Sequence, residues 1–280
     1  MEKWKEIYTE EQIRKIQKLE LNNLKVLKSV CEKIGVDFFA YGGTLIGAVR
    51  HKGFIPWDDD LDIAMIRSDY DKFLAEAPQY LPEEYVLQTP YNTPKTPYPY
   101  TKLRLKGTKY VEYGYHKLNI EHGIYIDIYP IDNLPDDSTE YYKLFKKYQR
   151  VVKLYAWRQC PYIGVPSSSF KQSIKGIVKF ALSLFLKLIP QQKFVKTIDD
   201  IATKYNNIET NRKGNLNFPH PKNFFYNILP YEQGEFEGIS IFLPGGWDNH
   251  LKSRYNDYMK LPAENERIGH MPYLLDLGEN

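Results

Sequence analysis

The chain has 280 residues, 26% charged and 42% hydrophobic, the composition of an ordinary globular protein able to bury a sizeable core, not of a disordered one. A net charge of +3 is too small to argue for nucleic acid, although it suits an acidic membrane surface or a polyanionic substrate. Two cysteines, Cys31 and Cys160, exclude a Cys-rich zinc site and a disulfide framework, and the stretch Met1 to Glu6 lacks the apolar core of a secretory signal, so a cytoplasmic location is expected.

Ile13, Ile16, Leu24, Leu27 and Val30 fall near one face of a helix predicted over 10–34, with Gly35 as its stop. A short apolar run at 38–41 reads as a strand ending at Gly42-Gly43, and 44–50 as a short helix after that turn. A loop at 53–57 precedes a strand at 60–65 and a helix at 68–77 capped by Ser68 or Asp69. The Pro-, Tyr- and Thr-rich stretch 81–99 reads as a long surface loop, followed by strand-like patches at 100–105 and 109–113. At 123–130, Ile124, Ile126 and Ile128 alternate with Tyr125, Asp127 and Tyr129, as in a strand. Helices are predicted at 140–157, 170–189 and 192–206, loops and short strands over 214–243, and a helix near 247–259. The fold class is therefore α/β: a mixed core over 1–135, then a mainly helical insertion and a C-terminal segment over 136–280 that can pack back on the core.

Four carboxylates in five positions, Asp58, Asp59, Asp60 and Asp62, follow shortly after Gly42-Gly43 and the basic triplet Arg50-His51-Lys52. Like charges so close repel unless a cation sits among them. Read as a strand, Asp58, Asp60 and Asp62 share one face, and the Cα atoms of Asp60 and Asp62 lie about 6.5–7 Å apart, a spacing at which carboxylates converge on one ion or bracket two. Oxygen-only ligation suits Mg²⁺ or Mn²⁺. Asp127 is the best third ligand, since it sits on its strand opposite three isoleucines and a buried acid needs a partner. Gly42 and Gly43 let backbone N–H groups approach phosphate oxygens, and Thr44 adds a hydroxyl. Arg50, His51, Lys52, Lys102 and Arg104 are candidates to neutralise phosphate charge. Together these residues point to metal-dependent phosphoryl chemistry.

The block running Gly-Gly-Thr-Leu-Ile-Gly-Ala-Val-Arg-His-Lys-Gly-Phe-Ile-Pro-Trp-Asp-Asp-Asp-Leu-Asp-Ile from Gly42 to Ile63 closely resembles the signature of the LicD family, phosphocholine transferases related to fukutin and fukutin-related protein. Lys102-Leu-Arg104 with Thr108, Gly123 to Asp132, Phe236-Glu237-Gly238, Tyr255 to Met259, Leu261-Pro262 and His270 match in order along nearly the whole chain. The resemblance implies a nucleotidyltransferase-like core in which Asp60, Asp62 and Asp127 hold metal and Gly42 and Gly43 form the phosphate turn. It implies transfer of a phospho-alcohol, phosphocholine foremost, from a CDP-linked donor to a hydroxyl of a cell-surface glycan or teichoic acid precursor. CDP-glycerol and CDP-ribitol are alternative donors, and Asp58 or Asp127 is the candidate base. A choline cation favours an aromatic cage, for which Tyr91, Tyr98 and Tyr100 are candidates. The rival readings are a glycosyltransferase with its own Asp-x-Asp and a glycan- or choline-binding module without chemistry.

The segment 171–189 sets Ile174, Ile177, Val178, Ala181, Leu184, Phe185 and Leu188 on one helical face and Lys171, Lys175 and Lys179 on another. It is too short and lysine-interrupted to span a bilayer. It reads either as a core-packing helix or as a basic amphipathic helix in peripheral contact with the membrane.

Overall fold

The computed structural model describes residues 3–160, 170–218 and 220–278, with the side chains of 170–175 outside the described set, so Lys171 and Lys175 cannot be placed. Helix α1, Glu10–Ile34, opens on a capping box: the Thr9 hydroxyl accepts from the Gln12 N–H at 3.1 Å, and Gln12 Oε1 accepts from the Thr9 N–H at 2.9 Å. It ends at Gly35 in the left-handed conformation. Ile13, Ile16, Leu24, Leu27 and Val30 are all at most 1% exposed, each burial worth roughly 1.5–3 kcal/mol.

Strand β1, Phe39–Ala40, runs into the short helix α2, Gly42–Ile46, which continues as a π-helical turn over Gly47–His51. β2, Asp62–Ile66, leads to helix α3, Arg67–Glu76, whose N-cap is Ile66 and not Ser68 or Asp69. The expected surface loop at 81–99 contains a strand, β3, Tyr85–Gln88. Then follow β4, Thr101–Leu105; β5, Lys109–Glu112; and β6, Ile124–Leu134, the longest strand. The insertion comprises α4, Ser138–Gln159, α5, Phe170–Lys187, and α6, Gln191–Ala202. Short strands β7, Arg212–Gly214, and β8, Phe224–Tyr226, precede β9, Glu232–Phe236, β10, Ile239–Leu243, α7, Trp247–Tyr255, and β11, Pro272–Asp276.

The fold is α/β with a mixed sheet. Its main path is β3-β4-β6-β2-β1-β10-β9, with β7 and β8 extending the far end of β6, while β5 and β11 form a separate ribbon. β2 runs parallel to β6 and β1 to β10; the other pairs are antiparallel. One core joins α1 to the main sheet, and a second lies inside the insertion, around Leu144, Tyr148, Phe194 and Ile198. The chain rejoins the first core at Phe225, and β10 completes the sheet beside β1.

His250 on α7 illustrates how that return is sealed. It is 3% exposed, its ring stacks on Phe225 at 3.9 Å, and its Nδ1 lies 2.9 Å from the Phe224 carbonyl. Burial pushes its pKa down to about 4. A depressed folded-state value means that its contribution is complete above the unfolded pKa and is lost as pH falls through 6.5 toward 4. The wild type should lose about 2 kcal/mol between about pH 8 and about pH 5 relative to His250→Gln. Urea midpoints of both proteins across that range check it, the difference cancelling the carboxylates. Equal pH slopes would refute it.

Candidate active site

Three neighbouring strands carry the site. Lys102 on β4 stands opposite Asp127 on β6, which stands opposite Asp62 on β2, so these side chains share one face in the middle of the sheet. Lys102 is 1% exposed, and its Nζ lies 2.7 Å from Asp127 Oδ1 and 3.9 Å from Glu112. Its cation is ringed by Tyr125, Tyr98 and Tyr100, with centroids at 3.4, 4.4 and 5.6 Å. Two tyrosines proposed for a choline cage thus surround the protein's own lysine, and Tyr91 instead donates to Asp199 at 2.5 Å. Arg104 is fully buried, donating to Gln88 Oε1 at 2.9 Å and the Gly123 carbonyl at 2.8 Å.

The strand expected at 60–65 begins at Asp62, so Asp58 and Asp60 lie in the loop before it and do not alternate along a strand face. The loop is pinned from behind: Gln17 on α1 donates to the carbonyls of Ile55 at 3.3 Å and Asp58 at 2.8 Å. Asp58 and Asp60 come within hydrogen-bonding reach of each other. Thr44 accepts the Asp62 N–H at 2.8 Å, spending its hydroxyl on the start of β2. Gly42 and Gly43 face the acids directly. A Cβ on Gly42, where φ is +53°, would sit 2.5 Å from Asp62 Oδ2, and one on Gly43 would sit 2.7 Å from Asp58 Oδ2.

Asp59, which carried no role in the sequence reading, is the hub of the site. It is 1% exposed, and its carboxylate accepts from Tyr8 at 2.5 Å, Tyr110 at 2.7 Å and the His270 backbone N–H at 3.0 Å, with His270 Nδ1 at 2.9 Å. Burial raises its pKa, but the His270 and Tyr8 contacts outweigh that and hold it below the usual range. The Asp59 hydrogen bond and the charge of Asp60, 3.8 Å away, push His270 up to about 10 against its partial burial. Among the described residues, Asp59, Asp60 and His270 form the tightest acid–imidazole group, with donor atoms within 4.8 Å. Since Asp59 is already saturated with donors, that group is a hydrogen-bonded hub.

The remaining acids are different. Asp58, Asp60, Asp62 and Asp127 are all pushed above the usual carboxylate range, burial being the largest cause in each. Mutual repulsion adds to it at Asp58 and Asp62, while His270 opposes it at Asp60 and Lys102 at Asp127. Beneath them Glu20 on α1, 1% exposed, is driven well up by burial and by these aspartates, and its Oε2 has no hydrogen-bond partner among the described residues. No sequence pattern marked it, because it occupies a core position of an amphipathic helix. An all-oxygen cluster with surplus negative charge and a bare backbone turn against it fits a hard divalent cation and a phosphate.

A family profile described as the LicD/FKTN/FKRP nucleotidyltransferase domain matches residues 35–155, which hold β1, the glycine turn, the aspartate loop, β4 and β6. The lipopolysaccharide cholinephosphotransferase LicD of Haemophilus influenzae is 29% identical over 262 residues, covering 92% of this chain and 95% of that protein. Both findings point to the LicD family. Shorter stretches match uncharacterized proteins of Rickettsia typhi, 40% identical over 57 residues (20% of this chain, 18% of that protein), and of Rickettsia prowazekii, 36% identical over 78 residues (26% and 29%).

The scattered LicD-like motifs converge on the loop between the glycines and β2. At the tip of the β9–β10 hairpin, Glu237 Oε1 accepts the Phe54 N–H at 3.1 Å, and its own N–H donates to the Lys52 carbonyl at 2.8 Å. The Tyr258 carbonyl accepts from Arg50 at 2.5 Å, and His270 reaches Asp59. Arg50 also donates to His51 Nε2 at 2.9 Å, so this pair lies at the site's edge while Lys52 turns the chain in the left-handed conformation. A cleft of about 640 Å³ opens there between Arg50, Trp57, Tyr255, Tyr258 and Lys260. Asp132 is held by Arg67 through paired bonds of 2.7 and 2.6 Å.

Proposed function

We propose that this chain transfers phosphocholine from CDP-choline to a hydroxyl of a cell-surface glycan or lipid-linked glycan precursor at the cytoplasmic side of the membrane, releasing CMP. The observation that carries this reading is the cluster of Asp58, Asp60, Asp62 and Asp127 set against the bare Gly42-Gly43 backbone. The likeness to a lipopolysaccharide cholinephosphotransferase along nearly its full length supports phosphocholine as the group moved. Asp60, Asp62 and Asp127 would hold Mg²⁺, or Mn²⁺ in its place. Bound there, the ion supplies charge neutralisation for the diphosphate and the departing CMP.

The chain's own residues do the rest. Gly42, Gly43 and Thr44 form the floor on which the diphosphate rests, and Arg50 and Lys52 bring positive charge to its rim, with the His51 ring accepting from Arg50. Lys102, backed by Arg104, fixes the Asp127 carboxylate. The acceptor oxygen attacks the choline-bearing phosphorus, the bond from that phosphorus to the CMP oxygen breaks, and Asp58 takes the hydroxyl proton. Asp58 suits this role because it is partly exposed and its carboxyl is raised, whereas Asp127 is committed to Lys102.

Thermal unfolding with Mg²⁺ and a panel of CDP-choline, CDP-glycerol, CDP-ribitol, CDP and UDP-sugars tests the reading. A ligand at about 100 times its Kd adds about 2.7 kcal/mol, which raises the midpoint several degrees at roughly 2–4 °C per kcal/mol. The expected result is a Mg²⁺-dependent shift larger for CDP-choline than for CDP. A larger shift with CDP-glycerol or CDP-ribitol would rename the donor, and one confined to UDP-sugars would overturn the reading in favour of a glycosyltransferase.

A further inference from the structure

Helix α5 turns its apolar side outward. Ile177, Val178, Leu184, Phe185 and Leu188, the last just past the helix end, are between 50% and 79% exposed. At helical periodicity they span an arc of roughly 120°. Ser183 and Leu186, on the opposite side, are the residues that bury against the insertion. The core-packing reading therefore accounts for only one side of α5. An outward stripe of this kind on a soluble-looking surface marks something that docks on it.

The charge around the stripe says what docks. Between Ser138 and Lys196 the sequence holds twelve lysines and arginines and a single acid, Glu140, so the remainder of a chain with net charge +3 is net negative. α5 has no acidic residue, Lys187 is exposed at its end, and Lys153 and Lys179 approach Trp157 between α4 and α5 at 5.0 and 5.5 Å. The matching surface is apolar a few ångströms down and anionic at its face. We infer that α5 lies in the interface of an anionic lipid bilayer, with its Leu/Phe stripe among the acyl chains and Lys187 at the headgroups. No described helix is long and apolar enough to cross a membrane, so the contact is peripheral.

The test is sedimentation with phosphatidylcholine vesicles, with and without added phosphatidylglycerol. The wild type should bind the anionic vesicles and lose binding as salt rises. The double variant Phe185→Glu, Leu188→Glu should bind at least about tenfold more weakly, since two apolar side chains no longer insert. Lys187→Gln should bind about fivefold more weakly. Both positions are exposed, so thermal midpoints should match the wild type. No vesicle binding, equal binding to both vesicle types, or an unaffected double variant would overturn the inference. So would self-association or capture of a protein that the double variant abolishes without any vesicle binding. Because sedimentation needs neither donor nor acceptor, its outcome is separate from that of the proposed transfer.

Discussion

Asp62→Asn should lower transfer by about a thousandfold or more while leaving the protein folded. Asp62 is the one carboxylate that sits at the head of β2, in register with Asp127 and against Gly42, so no neighbour can take its place. Its effect on stability should have the opposite sign. In metal-free buffer its pKa is raised by burial first, then by the charges of Asp60, Asp127 and Asp58. Removing that charge relieves the repulsion, so the variant should melt a few degrees above the wild type in chelator, and the stabilisation by Mg²⁺ should shrink or vanish. Steady-state rates with the preferred CDP-alcohol and melting curves with and without Mg²⁺ measure both. A variant that melts lower in chelator and still responds to Mg²⁺ as the wild type does would remove Asp62 from the cation site.

Asp59→Ala should be the most destabilising single change near the site, at about 3–5 kcal/mol. It removes the acceptor shared by two tyrosine hydroxyls, a backbone N–H and the His270 ring, and Tyr8 and Tyr110 are both nearly fully buried. The consequence reaches the C-terminus, because His270 ties the segment leading into β11 to the aspartate loop, and β11 pairs with β5. Urea unfolding should show the loss, and amide exchange should speed up first along β11 and β5. If exchange there stays at the wild-type rate, Asp59 is not what anchors the returning segment.

Much of this architecture is readable along the chain because it is written in local chemistry. The α1 stripe, its Thr9 cap and its Gly35 stop depend on residues within a few positions of one another, and each is in place. The alternation of isoleucine with Tyr125, Asp127 and Tyr129 likewise marks β6. Edges read less well. Strand pairing moves the start of β2 to Asp62, because the Leu61 carbonyl and the Asp62 N–H are claimed by Asp127 and Thr44, and the acids before them stay in a loop pinned by Gln17. β3 hides in a Pro- and Tyr-rich stretch because its partner β4, not its composition, makes it a strand. Similarly, a tyrosine near a motif cannot disclose that it will stack on Lys102.

The sequence by itself determined which residues to look at: four aspartates beside a glycine pair and a basic triplet are the pattern expected to take a cation and a phosphate. Only the tertiary structure decided which acid does what. Asp59 and Asp62 are the same residue three positions apart, yet one is saturated by Tyr8, Tyr110 and His270 from distant segments, and the other is left with its charge uncompensated. The physical reason is that a carboxylate's role is set by the donors and charges within a few ångströms of it, and here the residues before α1, β5 and the residues before β11 bring those from more than fifty positions away along the chain.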